Sequence, residues 1–486
     1  MSTVPLPPTP SLQQLRKQAR ELQRAARAGD HTALAAVTAH HPDPPAGPLP
    51  LHAAQLVIAR RHRFPSWPRL VAHLAVVAEF QRVHRDVATG ADPAAAFLDL
   101  ACLTYAVDEP KRTEAARMLL AQRPEIAAAG IHVAAACADA DRVRVLLAAD
   151  PALAGAVGGP QQWPPLMHLA YARHDPDVTL DAVLDTARLL LDAGADPDAG
   201  FLFDGLPTPF TVLTGALGGG DRGQPVHPHG LALAEVLLEA GADPNDGQAL
   251  YNRMFQSDDR HLRLLFAHGL GTGDGGPWHA RMPDATDTPA GMLRDQLGWA
   301  TTHGMLDRIR LLAAHGVDLS ARLRTGRTAV ELAALTGRPD VAALLVELGA
   351  TAPAFGPVDA LVAAALAADA TAVERLRSTH PDVVEQTRHA HPGLVVRATA
   401  LGNVPAIRLL VGLGFDVSAL ARADLPIDQP WETALHHAAG NGDVAMVREL
   451  LALGADRTVR DHRFDATPRD WALHFDHVGA AALLEG

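Results

Sequence analysis

The stretch TALHHAAGNGDVAMVRELLALGAD, residues 433–456, decides the fold. Thr433 is a good helix N-cap, because its hydroxyl can accept a hydrogen bond from an unpaired amide of the first turn. A short helix and a glycine-containing turn follow, and residues 444–451 then place apolar side chains on one face of a second helix. Gly454 stands where a helix ends in a left-handed residue, a conformation that glycine adopts with least strain. The stretch therefore predicts two short, packed helices.

A second copy shows that this pattern is a repeat. The stretch TAVELAALTGRPDVAALLVELGAT, residues 328–351, matches the first copy element by element. Gly316 and Gly349 are about 33 residues apart, which is the period of one class of helical repeat. The helix-ending signature recurs as DAGADP from Asp192, EAGADP from Glu239, AHGVDL from Ala314 and LGFDVS from Leu413.

These copies resemble the ankyrin-repeat family. The resemblance rests on Thr-Pro/Ala-Leu-His-x-Ala at the start of the first helix, Leu-Leu near the end of the second, and Gly-Ala-Asp after it. It implies an all-α ankyrin-repeat solenoid of about ten to eleven helix-turn-helix units, several of them degenerate. The expected units open near Ala94, Ile131, Trp163, Pro207, Gln248, Met292, Arg327, Val358, Pro392, Trp431 and Asp465.

Three insertions interrupt the repeats, which we place in residues 91–486. They lie near residues 174–182, 218–230 and 271–289. Insertions in stacked repeats form loops on one face, and long irregular loops are often functional. The middle of the chain, from about Trp163 to Met292, is therefore the first place to look for a bound molecule.

Residues 1–90 do not follow the repeat and predict a basic, helical leader. Between residues 11 and 85 there are eleven Lys or Arg and four Asp or Glu, so the segment carries 11 − 4 = +7, whereas the whole chain carries −13. The leader resembles one that precedes ankyrin repeats in many uncharacterised bacterial proteins. Two functions stay open for it: capping the first repeat, and separate recognition of an acidic surface such as nucleic acid. Elsewhere the acidic chain should repel nucleic acid.

Composition restricts the class of protein further. Arg greatly outnumbers Lys, and with abundant Ala, Gly and Pro this is typical of a high-GC genome. Cys102 and Cys137 are too few for a disulfide framework or a four-thiolate metal site and are expected to be buried thiols. No apolar run approaches the roughly 18 residues of a membrane span, and no secretory leader is recognisable. We expect a soluble, cytoplasmic, monomeric protein without a membrane segment.

Motifs for catalysis or cofactor binding are not found in the sequence. It has no nucleophile elbow, no Ser-x-x-Lys and no P-loop. The histidines lack zinc-site spacing, and Asp274, Asp284 and Asp287 with His279 match no calcium loop. We therefore predict no metal, no cofactor and no catalytic residues, and favour a non-enzymatic function. Only an active site built from residues distant in sequence stays open.

The scarce aromatic residues supply the candidate contacts with a partner. Several fall in or near the first helix of successive units, where an ankyrin array lines its concave groove, and Trp, Tyr and Arg are common at binding hot spots. Space-filling between repeats is the alternative for each of them. We expect a protein-interaction scaffold that binds a partner protein along this groove; the alternative is a small-molecule or enzymatic pocket among the middle insertions. The candidate partner-binding residues are Trp163, Tyr171, Arg173, Tyr251, Arg253, Phe255, Trp299, His303, Trp431 and Trp471.

Overall fold

The protein is described by a computed structural model over residues 4–7, 10–82, 87, 92–106, 108–204, 207–423 and 429–485. Within these ranges the chain forms 28 α-helices and very little strand. Two compact units divide the chain, Met1–Leu293 and Arg294–Gly486, called unit 1 and unit 2 below. The all-α prediction is confirmed.

The N-terminal leader of unit 1 forms four helices around a small core of its own. Leu15 and Ala19 of the first helix pack with Val57 and Ile58 of the third. Ser11 begins the first helix by accepting a hydrogen bond from the Gln14 amide, as expected of a serine N-cap. The four helices are α1 (Leu12–Arg27), α2 (His31–His40), α3 (Leu51–Arg61) and α4 (Trp67–Phe80).

The rest of unit 1 is a stack of five helix pairs. Short 3₁₀ turns at Pro124–Ala128 and Pro151–Gly155 follow the second helices of the first two pairs. A further short helix, α15 (Gly276–Arg281), lies in the third insertion. The pairs are α5 (Pro93–Ala101) with α6 (Pro110–Gln122), α7 (Ile131–Ala136) with α8 (Ala140–Ala149), α9 (Pro165–Tyr171) with α10 (Leu180–Asp192), α11 (Val212–Leu217) with α12 (Gly230–Glu239), and α13 (Gly247–Met254) with α14 (Arg260–Ala267).

Six further pairs continue into unit 2, the first of them opening with a helix that spans the unit boundary. An extra helix that the sequence did not predict, α22 (Val383–Ala390), lies between two of the pairs. The pairs are α16 (Pro289–His303) with α17 (Leu306–Ala314), α18 (Ala329–Leu335) with α19 (Pro339–Glu347), α20 (Pro357–Leu366) with α21 (Ala370–Thr379), α23 (Leu394–Ala400) with α24 (Val404–Gly412), α25 (Ala434–Gly440) with α26 (Val444–Ala452), and α27 (Pro468–His474) with α28 (Val478–Leu483).

Threonine capping boxes begin several of the first helices. At α25 the Thr433 hydroxyl accepts from the His436 amide at 3.3 Å, and the Thr433 amide donates to Nδ1 of His436 at 3.2 Å. The other ring nitrogen, Nε2, then donates to the Ala466 carbonyl oxygen at 3.0 Å. His436 therefore links its own helix to the next repeat, and burial lowers its pKa, which favours the neutral ring.

A small sheet in unit 1 joins the leader to the repeats. Strand β1 (Gln81–Arg82) pairs in parallel with β2 (Gly200–Phe203), and β2 pairs in antiparallel fashion with β3 (Pro209–Thr211). Beside it, Val77 of α4 packs with Leu202, Trp278 and Met282. The leader thus contacts the third insertion, a contact that the sequence did not indicate. Capping of the first repeat by the leader stays a prediction.

Candidate functional site

Trp163 and Tyr171 lie in the interior of unit 1. The Trp163 ring centroid is 4.8 Å from that of Tyr171 and 5.0 Å from that of Phe201, and both candidate residues are almost fully buried. The Tyr171 hydroxyl donates to the Thr211 carbonyl oxygen at 2.8 Å. These two aromatic side chains fill the space between successive repeats, so in this structure they present no surface to a partner.

Arg173 is also directed inward. Its guanidinium donates to the carbonyl oxygens of Ala170, Ala172, Gly215 and Pro225, at distances from 2.6 to 3.1 Å. Burial lowers the pKa of Arg173 to about 10, although the neighbouring Tyr105 favours its charge. Arg173 therefore connects the second insertion to two helices.

The first helix of the fifth pair, α13, carries the other three candidates of unit 1. Tyr251 and Phe255 meet edge to face with ring centroids 5.1 Å apart, and Tyr251 is 44% exposed. Burial of one edge and the charge of Asp221 raise the pKa of Tyr251. Arg253 is buried, with its Nη2 3.8 Å from an Asp258 carboxylate oxygen. Of the middle-repeat candidates, Tyr251 is thus the exposed aromatic side chain, with Phe255 half-buried beside it.

Trp299 and His303 stack on one another along α16. Their ring centroids are 3.7 Å apart at 20°, and Nδ1 of His303 donates to the Trp299 carbonyl oxygen at 2.9 Å. Partial burial of the ring lowers the pKa of His303, and the nearby charges of Arg338 and Arg397 lower it further. The structure therefore brings two arginines of later repeats to this aromatic pair.

Trp431 lies between two arginines in the loops that precede α25 and α27. The guanidinium carbon of Arg422 is 4.3 Å from the Trp431 ring centroid, and that of Arg463 is 4.8 Å away. Arg463 is also 5.0 Å from the ring of Phe464, which is 62% exposed. We call Arg422, Trp431, Arg463 and Phe464 the finger-loop cluster.

Both loops of the finger-loop cluster are held by hydrogen bonds. Ala421 and Glu432 exchange two backbone hydrogen bonds of 2.9 and 3.0 Å across the first loop. In the second loop the Asp461 carboxylate accepts from the amides of Arg463 and Phe464, and from Nε1 of Trp471 at 3.0 Å. Trp471, a predicted contact residue, thus supports the loop, and its ring lies 6.4 Å from that of Phe464.

The finger-loop cluster has the chemistry of a recognition surface. A guanidinium stacked on an indole face is favoured by a cation–π attraction, and Nη1 of Arg422 also donates to Oε1 of Gln429 at 3.2 Å. Trp and Arg are among the residue types most often found at binding hot spots. The sequence indicated Trp431, but missed Arg422 and Arg463, whose only signal was their place in the loops before two predicted repeat openings.

Within the described part of the chain, no group of three or more His, Cys, Asp or Glu side chains could hold a metal ion. In the third insertion, Asp284 pairs with Arg69 of the leader at 2.8 Å. A cavity of about 10 Å³ beside Cys137 and His174 has room for one water at most. Burial raises the pKa of the Cys137 thiol to about 12, which disfavours the reactive thiolate.

None of the described helices of the leader and of the two units is both long and apolar enough to cross a bilayer. The basic side chains of the leader include Arg27, which donates to the Leu49 carbonyl oxygen, and Arg69, which pairs with Asp284. Recognition of an acidic surface by this segment stays a prediction.

Comparison with known proteins identifies one repeat in unit 2 by a family match. The Ankyrin repeat family matches residues 431–462. Putative glutaminase 3 of Caenorhabditis elegans is 34% identical over 88 residues, which are 18% of this chain and 14% of that protein. Palmitoyltransferase Hip14 of Drosophila melanogaster is 34% identical over 90 residues, 18% of this chain and 13% of that protein. The chain thus spans only a small part of the length of these relatives.

The helix pairs and this match agree on the fold class, an all-α ankyrin-repeat solenoid. The matched segment begins at Trp431 and ends one residue before Arg463. The finger-loop cluster therefore lies at the two ends of the best-defined repeat.

Proposed function

We propose that this chain is a non-catalytic protein-interaction scaffold that binds a partner protein through the finger-loop cluster of unit 2. The observation that carries the proposal is the stacking of Arg422 and the exposed Arg463 on the half-buried ring of Trp431, beside the exposed ring of Phe464. Backbone hydrogen bonds join Ala421 to Glu432, and the Asp461 carboxylate accepts from the amides of Arg463 and Phe464. These bonds hold the backbone that carries the cluster before a partner arrives, which lowers the ordering cost of binding. Ankyrin repeats generally serve protein interactions, and the matched repeat carries part of this surface.

Two other aromatic pairs, one in each unit and each with one exposed and one half-buried ring, are further candidate contacts. These are Tyr251 with Phe255 in unit 1, and Trp299 with His303 in unit 2. Each pair presents aromatic rings on a first helix, where partners of ankyrin repeats bind. Trp163, Tyr171, Arg173 and Arg253 are not included, because their side chains are buried.

The relatives support an interaction repeat rather than a catalytic domain. Their names give two unrelated activities, a glutaminase and a palmitoyltransferase, yet each matches a segment of similar length in this chain. A segment shared by proteins of different activity is expected if it serves recognition. We therefore carry neither activity over to this chain.

A photocrosslinking experiment tests the proposed surface. Phe464 is replaced by p-benzoylphenylalanine, which keeps an aromatic ring at the exposed position, and the full chain is irradiated in a lysate of the organism that encodes it. The matched control carries the same residue at Val346, an exposed position on the second helix α19. We expect a discrete crosslinked protein at position 464 that is absent at position 346; equal labelling at both positions would contradict the proposal.

A substitution then measures the contribution of the cluster. Trp431→Ala removes the ring that both arginines stack on, and loss of such a hot spot typically costs about 2 kcal/mol or more, which is roughly 30-fold in affinity for the crosslinked partner. Val346→Ala should leave that affinity unchanged. Full affinity of the folded Trp431→Ala variant, with unchanged circular dichroism, would show that binding lies elsewhere.

A further inference from the structure

Arg397 of α23 is held in unit 2 by neutral groups alone. Its Nε donates to the Thr336 carbonyl oxygen at 3.2 Å, and its Nη1 donates to the Ala423 carbonyl oxygen at 3.3 Å. The side chain is partly buried, and no carboxylate lies within ion-pair distance of it among the residues that the structure describes. These two bonds fix the guanidinium without neutralising its charge.

Arg338, in the turn after α18, is close to Arg397 and is also without a carboxylate partner in the described chain. Its Nη1 lies 3.0 Å from the position that a Cβ would occupy on Gly304, so the guanidinium packs directly on that backbone. Its Nε atom is buried and has no hydrogen-bond partner among the described residues. A buried donor left without an acceptor is costly, so the guanidinium of Arg338 is incompletely satisfied by the described residues.

The two guanidinium groups repel each other. Burial lowers the pKa of Arg397 to about 10, and the charge of Arg338 contributes to the shift. The stacked ring of His303 lies in the same positive field. Partial burial lowers the pKa of His303, and the charges of Arg338 and Arg397 lower it further. This local excess of positive charge is the arrangement that an anion would stabilise.

Other arginines of unit 2 differ from Arg338 and Arg397 because they pair with carboxylates. Arg327 is 2.6 Å from an Asp359 carboxylate oxygen, and Arg408 is 2.6 Å from Glu449. Ion pairs of this kind recur along the unit, so carboxylates are available on its surface. Arg338 and Arg397 instead lie beside the aromatic pair of α16 and form no such ion pair with a described carboxylate.

From this arrangement we infer that Arg338, Arg397 and His303 form an anion site that binds carboxylate groups of an acidic segment in the protein partner. The inference rests on the proposed function, because it supplies the chemistry of the partner that the scaffold binds. Arg397 bonds to the carbonyl oxygen of Ala423, the residue that follows Arg422 of the finger-loop cluster. Planar guanidinium groups bind carboxylates through paired N–H donors.

The charge of the whole chain favours an acidic peptide over nucleic acid as the occupant. The chain carries a formal net charge of −13, which repels a long polyanion, whereas a short acidic segment can reach a local positive site. Partner carboxylates can therefore lie along the arginines while its apolar residues contact Trp431 and Phe464.

Fluorescence anisotropy with fluorescein-labelled hexaglutamate tests the anion site on the full chain. We expect binding that Arg338→Gln weakens about fivefold, the effect of losing one charge-assisted hydrogen bond. The matched control is Arg310→Gln, because Arg310 is an exposed arginine of the same unit that already pairs with Asp307 at 2.9 Å. Arg397→Lys, which keeps the charge but not the planar donors, should also weaken binding. Equal affinity of wild type, Arg338→Gln and Arg397→Lys, all folded by circular dichroism, overturns the inference.

Two further probes separate the sources of the anion. Inorganic phosphate should compete only weakly with hexaglutamate, since it offers one charged group to a site with two guanidinium groups. A labelled single-stranded oligonucleotide that binds more tightly than hexaglutamate, with the same dependence on Arg338, would overturn the acidic-protein occupant. If Arg338→Gln loses hexaglutamate binding but no partner is crosslinked at position 464, the proposed function is contradicted and the anion site stands. If a partner is crosslinked at position 464 but Arg338→Gln keeps full hexaglutamate binding, the anion site alone is contradicted.

Discussion

Trp431 and Trp163 are the same residue type near the start of two repeats, but their environments differ. Trp431 is half-buried in contact with Arg422 and Arg463, whereas Trp163 is almost fully buried among the rings of Tyr171 and Phe201. The strands that carry Phe201 are an irregular addition to the repeat, so a repeat template contains no information about them. The sequence could identify the candidates, but not which of them reach the surface.

Asp198, which follows the second helix of the third pair, gives a pH-dependent prediction at the residue scale. Burial raises its pKa from 3.8 to about 6, and the charges of Asp196, Asp243 and Asp246 add to the increase, although the Asp243 amide donates to Asp198 and opposes it. The folded state therefore binds more protons than the unfolded state between pH 4 and pH 6. It follows that the contribution of Asp198 to stability falls as the pH rises through this window.

Asp198→Asn should remove this loss while keeping the oxygen that accepts from the Asp243 amide. We expect the variant to be more stable than wild type at pH 7 by about 1 to 2 kcal/mol, after allowing for solvent screening of a partly exposed group, and nearly equal at pH 4. Urea unfolding at both pH values measures the difference. Asp192→Asn, at an exposed aspartate that ends α10, is the control; a gain from Asp198→Asn that does not depend on pH would argue against the titration.

At the scale of the element, local signals placed the helices well. Each predicted repeat opening lies at or within a few residues of a first helix, because threonine caps and apolar spacing act within one or two turns. Helix α22 and the three-stranded sheet were not predicted. The sheet depends on Gln81 pairing with Leu202, residues far apart in sequence, and strands of two to four residues are too short for a periodic signal.

The helix-ending glycine after α26 gives a prediction at the element scale. Gly454 has φ +89°, and a Cβ added there would meet no atom within 4 Å, so any penalty comes from the backbone alone. Gly454→Val should destabilise unit 2 by about 1 to 3 kcal/mol, because a β-branched residue resists the left-handed region, and Gly454→Asn should cost less. Chemical denaturation measures both. Gly412→Val is a matched control, since Gly412 lies in α24 with free space and ordinary φ; equal effects at the two glycines would refute the C-cap assignment.

At the scale of the whole molecule, unit 1 is more than a stack of repeats. Its basic leader packs on the third insertion through Val77 and Trp278, and Arg281 lies over the Trp278 ring at 4.9 Å. The exposed Arg69 to Asp284 ion pair adds little stability at a surface, so the apolar contact carries most of the attachment. The leader and the middle insertions are thus energetically coupled.

This coupling predicts an effect of a single substitution in the leader. Val77→Asp places an unpaired charge in the apolar contact, and burial of such a charge should open it or cost several kcal/mol. Hydrogen exchange followed by mass spectrometry should then show faster exchange in β2 and α15. The control is Ala78→Asp, at the exposed neighbouring position. Unchanged protection of both segments in Val77→Asp would show that the leader does not hold the insertion in place.

The sequence by itself determined the all-α ankyrin-repeat class, the helix starts and the left-handed glycines, because these follow from residues within one repeat. The tertiary structure alone decided which aromatic side chains are buried, where the leader attaches and which arginines lack a carboxylate partner in the described chain. Those features depend on contacts between residues tens to hundreds of positions apart, as between Arg397 and Thr336 or between Arg69 and Asp284. A repeating local pattern cannot specify them, since irregular insertions and the leader change the neighbours of each repeat.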